Sequence, residues 1–135
     1  MNDSAPKDPN FDARVRTSFA KQGLMETLGA SIARVSPGLV DVVLPTSPAV
    51  AQQHGFVHAG AVASIADSAA GYAALTLMPP GAGVLTAEFK INLLAPAMGS
   101  ASWHAEGSSR LGARSHLRRR MSLPSARGRR SSSLS

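Results

Sequence analysis

His54-Gly55-Phe56-Val57-His58-Ala59-Gly60 runs directly into Ala61-Val62-Ala63-Ser64-Ile65-Ala66-Asp67-Ser68-Ala69-Ala70-Gly71-Tyr72, and this stretch decides the fold. A loop rich in Gly and His opens a long helix of small residues. From Ala61 to Leu77 that helix is apolar on nearly every face, which predicts burial or a membrane span. Asp67 is its one ionisable residue. A buried carboxylate is costly unless it is paired or used, so Asp67 demands a reason.

The membrane reading fails on the same residues. The run is Ala-rich, short for a span, and carries Asp67, which a bilayer penalises strongly. The chain's 135 residues predict one domain with a sizeable core. With 44% hydrophobic but 4% aromatic residues, that core must be built from Ala, Val, Leu and Ile. Cysteine is absent, which removes disulfides, thiolate metal sites and cysteine nucleophiles together. The polar start, Met1 to Asn10, lacks a charged-then-apolar leader pattern, so a cytoplasmic protein is expected.

The net charge of +6 is unevenly spread. Residues 1–98 hold six Lys/Arg against seven Asp/Glu, whereas residues 99–135 hold eight Arg against Glu106 alone. The Arg119-Arg120 cluster has no interleaved aromatics, so specific nucleic-acid recognition is not expected. No His/Asp/Glu group has metal-ligand spacing, and neither a metal nor a cofactor is expected. Gly81 and Gly83 read as turn residues rather than a phosphate loop.

Working outward, Phe11, Val15, Phe19 and Gln22 fall at helical spacing, predicting a helix over Phe11–Gly23 with Gly23 as its stop. Leu24–Thr27 reads as a connector. Leu28–Val35 and Leu39–Leu44 flank the turn residues Ser36-Pro37-Gly38 and predict a hairpin. Thr46–Val57 is a loop. After the central helix, Pro79-Pro80-Gly81 turns the chain. Val84–Leu94 then alternates: Leu85, Ala87, Phe89, Ile91 and Leu93 fall on one side, Thr86, Glu88, Lys90 and Asn92 on the other. A long strand follows from that period. One helix apolar all round needs a sheet wrapped about it, which predicts an α+β domain with about two or three further strands after Gly99.

Residues 99–135 do not look able to supply them. They contain eleven Ser and eight Arg but no Val, Ile, Phe, Tyr or Thr. A disordered basic tail is one reading. The genetic code offers another. Read one base earlier, the single Trp codon at Trp103 becomes Val, Leu or Met, and His104 becomes Ala. With favourable codons elsewhere, Ser100–His116 and Met121–Arg127 become alternating, strand-like segments. The expectation is a one-base deletion near the Gly99 codon. The resulting organisation is a disordered N-terminus (1–10), an incomplete domain (11–98) and an Arg/Ser-rich tail (99–135), disordered or frameshifted.

His58-Ala59-Gly60, Asp67 nine residues beyond His58, Gly71-Tyr72 and Glu88-Phe89-Lys90-Ile91-Asn92-Leu93-Leu94-Ala95-Pro96-Ala97 together resemble the hotdog-fold thioesterases of the PaaI-like, phenylacetate-degradation type. The resemblance covers roughly residues 12–99. It implies a long helix wrapped by an antiparallel sheet, and a homodimer or homotetramer with sites at the subunit interface. The implied activity is hydrolysis of acyl-CoA thioesters. Asp67 matches the acid on the central helix, as general base or nucleophile. Ala59 matches the position whose amide polarises the thioester carbonyl, with Ala in place of the family's Gly. Gln52 stands where an Asn is common, and Thr86 matches an assisting hydroxyl. His58, Gly60, Gln53 and His54 are the expected substrate-binding residues. The residues leave two alternatives: a non-catalytic acyl-CoA-binding or oligomerisation module, or an inactive frameshifted product whose basic tail binds polyanions.

Overall fold

The computed structural model describes residues 5–98, together with the backbone of 101–106 and 114–115. Helix α1 spans Phe11–Phe19, with Val15 fully buried and Asp12 paired to Arg16 one turn on. The helical spacing predicts this helix as far as Gly23. It stops earlier because Lys21 and Gln22 make tighter backbone bonds to Ser18 and Phe19, and Gln22 is extended. Gly23 then opens a second helix, α2 (Gly23–Leu28), through the stretch expected to be a connector. Burial of Met25 holds it, and Gly29 ends it in the left-handed conformation at φ 71.

Strands β1 (Ser31–Ser36) and β2 (Leu39–Leu44) form the predicted hairpin, antiparallel, with a bulge between Ile32 and Arg34. Alternation along β2 sends Val40, Val42 and Leu44 into the core, each fully buried. A third strand, β3 (Ala101–Glu106), takes the other edge of β2, running from Leu39 opposite Glu106 to Leu44 opposite Ala101. β4 (Arg114–Ser115) pairs with β3, so the sheet order is β1-β2-β3-β4. Strands are thus present after Gly99, where the fold requires them, although the composition of 99–135 does not favour them. The rest of the 99–135 tail lies outside the described residues. Residues 5–10 also differ from a disordered N-terminus, because Asp8 is buried and bridges Arg14 at 3.2 Å.

Helix α3 (Ala59–Leu75) packs on the buried face of β2 and also lies against β3. Val62, Ile65, Ala66, Ala69, Tyr72, Ala73 and Leu75 fill the interface. Each large side chain buried there contributes about 1.5–3 kcal/mol. The far end of α3 is tied down twice. Thr76 Oγ1 accepts from the Gly38 amide and donates to Ala73 O, both at 2.7 Å, joining the helix end to the hairpin turn. The Arg14 guanidinium donates to the carbonyls of Leu75, Met78 and Pro79 at 2.7, 3.0 and 2.9 Å, placing a cation at the negative helix end.

Two expectations are corrected here. The central helix is not enclosed on all sides: Ala63, Ser64, Asp67, Ala70, Gly71 and Ala74 form a half-exposed stripe. Nor is Val84–Leu94 a strand in this chain; it carries no ladder. Both edges of β2 are already taken by β1 and β3, so the segment's alternation has no neighbour to pair with there. Leu85 and Leu94 are consequently 96% and 91% exposed. Among the described residues, no helix is long and apolar enough to cross a membrane.

Candidate active site

Asp67 sits midway along α3 on the half-exposed stripe. The chain leaving Pro79-Pro80 returns along this stripe. Val84 packs beside Gly71, its Cγ1 3.8 Å from where a Cβ would stand, an ordinary contact that leaves space for a small side chain. Two residues on, the Thr86 hydroxyl donates to Asp67 Oδ1 at 2.6 Å. The other carboxylate oxygen has no hydrogen-bond partner among the described residues.

The loop before α3 is fixed from both sides. A short 3-10 turn, Pro48–Val50, leads into a bridge between Ala51 and Val57. Gln52 N donates to Phe56 O at 2.8 Å, and Gly55 N to Gln52 O at 3.0 Å with Gly55 at φ 83. His58 N donates to Val50 O at 2.8 Å, and Val57 N to Ala97 O at 3.1 Å. The loop is thereby stitched to the far end of the segment that carries Thr86.

The predicted site residues separate into three places. Asp67 and Thr86 are in direct contact. His58 and Gly60 are joined at the start of α3, where Nδ1 of His58 accepts from the Gly60 amide at 2.8 Å. Gln52 is turned into its own loop, its Oε1 accepting from His54 N, while Gln53 and His54 are exposed. Ala59 is the first residue of α3 and Asp67 the ninth. Eight residues of helix separate them by about 12 Å along the axis.

A polar network beside Asp67 was not anticipated. Ser68 Oγ donates to Gln22 Oε1 at 2.9 Å, Gln22 Nε2 donates to Tyr72 Oη at 3.0 Å, and Tyr72 Oη meets Ser18 Oγ at 3.1 Å. These bonds, with Phe19 tilted against the Tyr72 ring at 5.9 Å, lock α1 to the face of α3 next to the acid. The signal was present in Gln22, which continues the helical spacing of Phe11, Val15 and Phe19. An open groove along α1, lined by Asn10, Ala13, Arg14, Thr17, Ser18 and Lys21, includes none of the predicted site residues. No group of three or more metal-ligating side chains occurs among the described residues.

Comparison with known proteins places the fold. A thioesterase family protein from Silicibacter pomeroyi is 49% identical, with 71% of each chain covered and a TM-score of 0.69. This chain belongs to the hotdog thioesterase family. Residues 15–125 of this thioesterase-family chain match a domain of unknown function, DUF4442, to which it therefore also belongs. A thioesterase from Haemophilus influenzae is 18% identical over 75% of this chain and 71% of its own, with a TM-score of 0.65. The PaaI protein of the phenylacetic acid degradation operon of E. coli is 19% identical over 72% and 70%, with a TM-score of 0.64. At those identities the likeness speaks for the hotdog fold. No curated protein sequence matches the chain.

Proposed function

We propose that this thioesterase-family chain hydrolyses acyl-CoA thioesters to free acid and CoA without a cofactor, as a homo-oligomer with sites between subunits. The observation that carries the reading is the Thr86–Asp67 hydrogen bond on the open stripe of α3. It orients one carboxylate oxygen and leaves the other for water or substrate. As general base, Asp67 takes a proton from water as that water attacks the thioester carbon. As nucleophile, it attacks the carbon itself and forms an anhydride that water then opens. In both routes the C–S bond breaks and the CoA sulfur leaves as a thiolate that takes up a proton. The carbonyl oxygen gains negative charge and requires a donor; the Ala59 amide, at the positive end of α3, supplies it.

The separation of about 12 Å along the helix is long for one chain to bring both groups to one carbonyl, where reacting atoms lie about 3–3.5 Å apart, and this supports a site shared between subunits. In this reading the amide of one subunit serves the acid of another. Leu85, Phe89, Leu93, Leu94 and Met98, which flank Thr86 and are exposed in the single chain, give the second copy an apolar surface to cover.

Asp67→Ala should lower turnover of acyl-CoA by roughly 10²–10⁴-fold without unfolding the protein. Activity within twofold of the parent against several acyl-CoAs would overturn the assignment. Ala59→Pro removes the amide N–H at the one helical position where proline is favoured, and His58 before it is already extended. It should cost roughly 10²–10³-fold. Mixing the two inactive variants should restore activity, because one site of a mixed pair keeps both groups; no recovery overturns the shared site. Single-turnover hydrolysis in ¹⁸O water separates base from nucleophile by label in the Asp67 carboxylate. The alternative, a binding module without turnover, draws on the Gln52 side chain being engaged in its own loop. Acyl-CoA binding without CoA release would establish it.

A further inference from the structure

We infer that His58 is a positioning residue: its imidazole occupies the Gly60 amide, leaving the Ala59 amide as the first-turn donor open to a thioester oxygen. The inference rests on the thioesterase reading above. The first four amides of an α-helix have no partner within the helix, and any of them could meet a ligand. In α3 three are accounted for. His58 N donates to Val50 O at 2.8 Å, Gly60 N to His58 Nδ1 at 2.8 Å, and Ala61 N to His58 O at 3.0 Å, while Val62 N already makes the first regular helix bond, to His58 O. Ala59 N has no acceptor among the described residues. One residue, through its carbonyl and its ring, thus selects which amide remains.

A second observation concerns Gly60. Its backbone is not left-handed, so α3 itself does not require glycine there. A Cβ on Gly60 would lie 3.0 Å from Nδ1 and 3.2 Å from Cε1 of His58, so the ring would have to give by a few tenths of an ångström, lengthening its bond to the Gly60 amide. The missing side chain makes room for the imidazole. Accepting at Nδ1 also requires the neutral tautomer with its proton on Nε2, so Nδ1 is committed to the cap and not to the reaction. Histidine here does the work that Asn, Asp or Ser does at most helix starts.

The test combines amide hydrogen exchange at Gly60 with steady-state kinetics on acyl-CoA. His58→Ala should speed Gly60 exchange at least about tenfold and lower kcat roughly 2- to 30-fold, the range that loss of a cap spans, with little change in KM. His58→Asn caps through its own side-chain oxygen and should recover Gly60 protection and most of the lost kcat. Gly60→Ala should resemble His58→Ala, and the double variant should be no worse than either single one. Unchanged Gly60 exchange in His58→Ala overturns the cap. Gly60 protection restored in His58→Asn with kcat still low shows the imidazole acting on substrate and overturns the positioning role. Additive losses in the double variant overturn the link between the two residues. A parent protein that binds acyl-CoA without hydrolysing it defeats the thioesterase reading and with it the assignment of the Ala59 amide. The exchange measurements then still decide whether the ring caps the helix.

Discussion

Leu39–Leu44 and Val84–Leu94 both alternate between two faces, yet they occupy opposite situations. β2 is hydrogen-bonded along both edges, and Val40, Val42 and Leu44 are sealed in the core. The later segment lies along α3 with no ladder, its Leu85 and Leu94 almost fully exposed. Alternation therefore states which side chains share a face and nothing more. A strand is made by its neighbours: unpaired backbone groups keep their water, and the apolar face stays wet until another element covers it.

The largest expected effect comes from giving the second segment a neighbour. Restoring the reading frame from Gly99, as the one-base-deletion reading proposes, should slow amide exchange across residues 85–94 by roughly 10²-fold or more, as strand formation does. Equal protection of 85–94 in the chain as written would remove the contrast and the deletion reading with it. Next, Leu44→Ala should cost about 2–5 kcal/mol in urea unfolding, because it empties a fully buried site in β2. A much smaller loss would mean that β2 is less firmly held than its burial implies. Thr86→Ala removes the one side-chain bond seen among the described residues between the exposed segment and the helix; it should cost about 0.5–1.5 kcal/mol in stability or an equivalent two- to twelvefold in turnover. The smallest effect belongs to Leu94→Ala, expected within about 0.5 kcal/mol for a side chain 91% exposed. A loss that approached Leu44→Ala and grew with protein concentration would show a second copy covering the segment.

The contrast also explains what could be read in advance. β2 was legible to the residue because β-branched side chains and flanking turn residues coincide there. α3 was legible within two residues at each end, because no other stretch is as continuously apolar. α2 escaped notice: six residues are too few to display a helical period, and Gly23 reads as a stop when Gly29 is the actual terminator. β3 escaped because its Ala, Ser, His and Glu residues have no strand preference of their own; the open edge of β2 recruits the backbone regardless of composition. At the site, the family resemblance put Asp67 and Thr86 among the expected residues, and the structure brings their side chains into contact. The inward turn of Gln52 was not legible, since a side-chain amide bonding a backbone two residues on is a local choice no motif displays.

The Arg14 guanidinium joins α1 to carbonyls 61 to 65 residues later in the chain. Closing so long a loop is entropically slow, and the bond gains nothing until α3 is complete. α1 is therefore expected to dock late in folding and to detach early in unfolding. Arg14→Lys, which keeps the charge but loses the planar fork, should quicken unfolding while leaving the refolding rate almost unchanged. The working lifetime of a domain whose chemistry lies on the central helix is thus set partly by a clasp near its first residues.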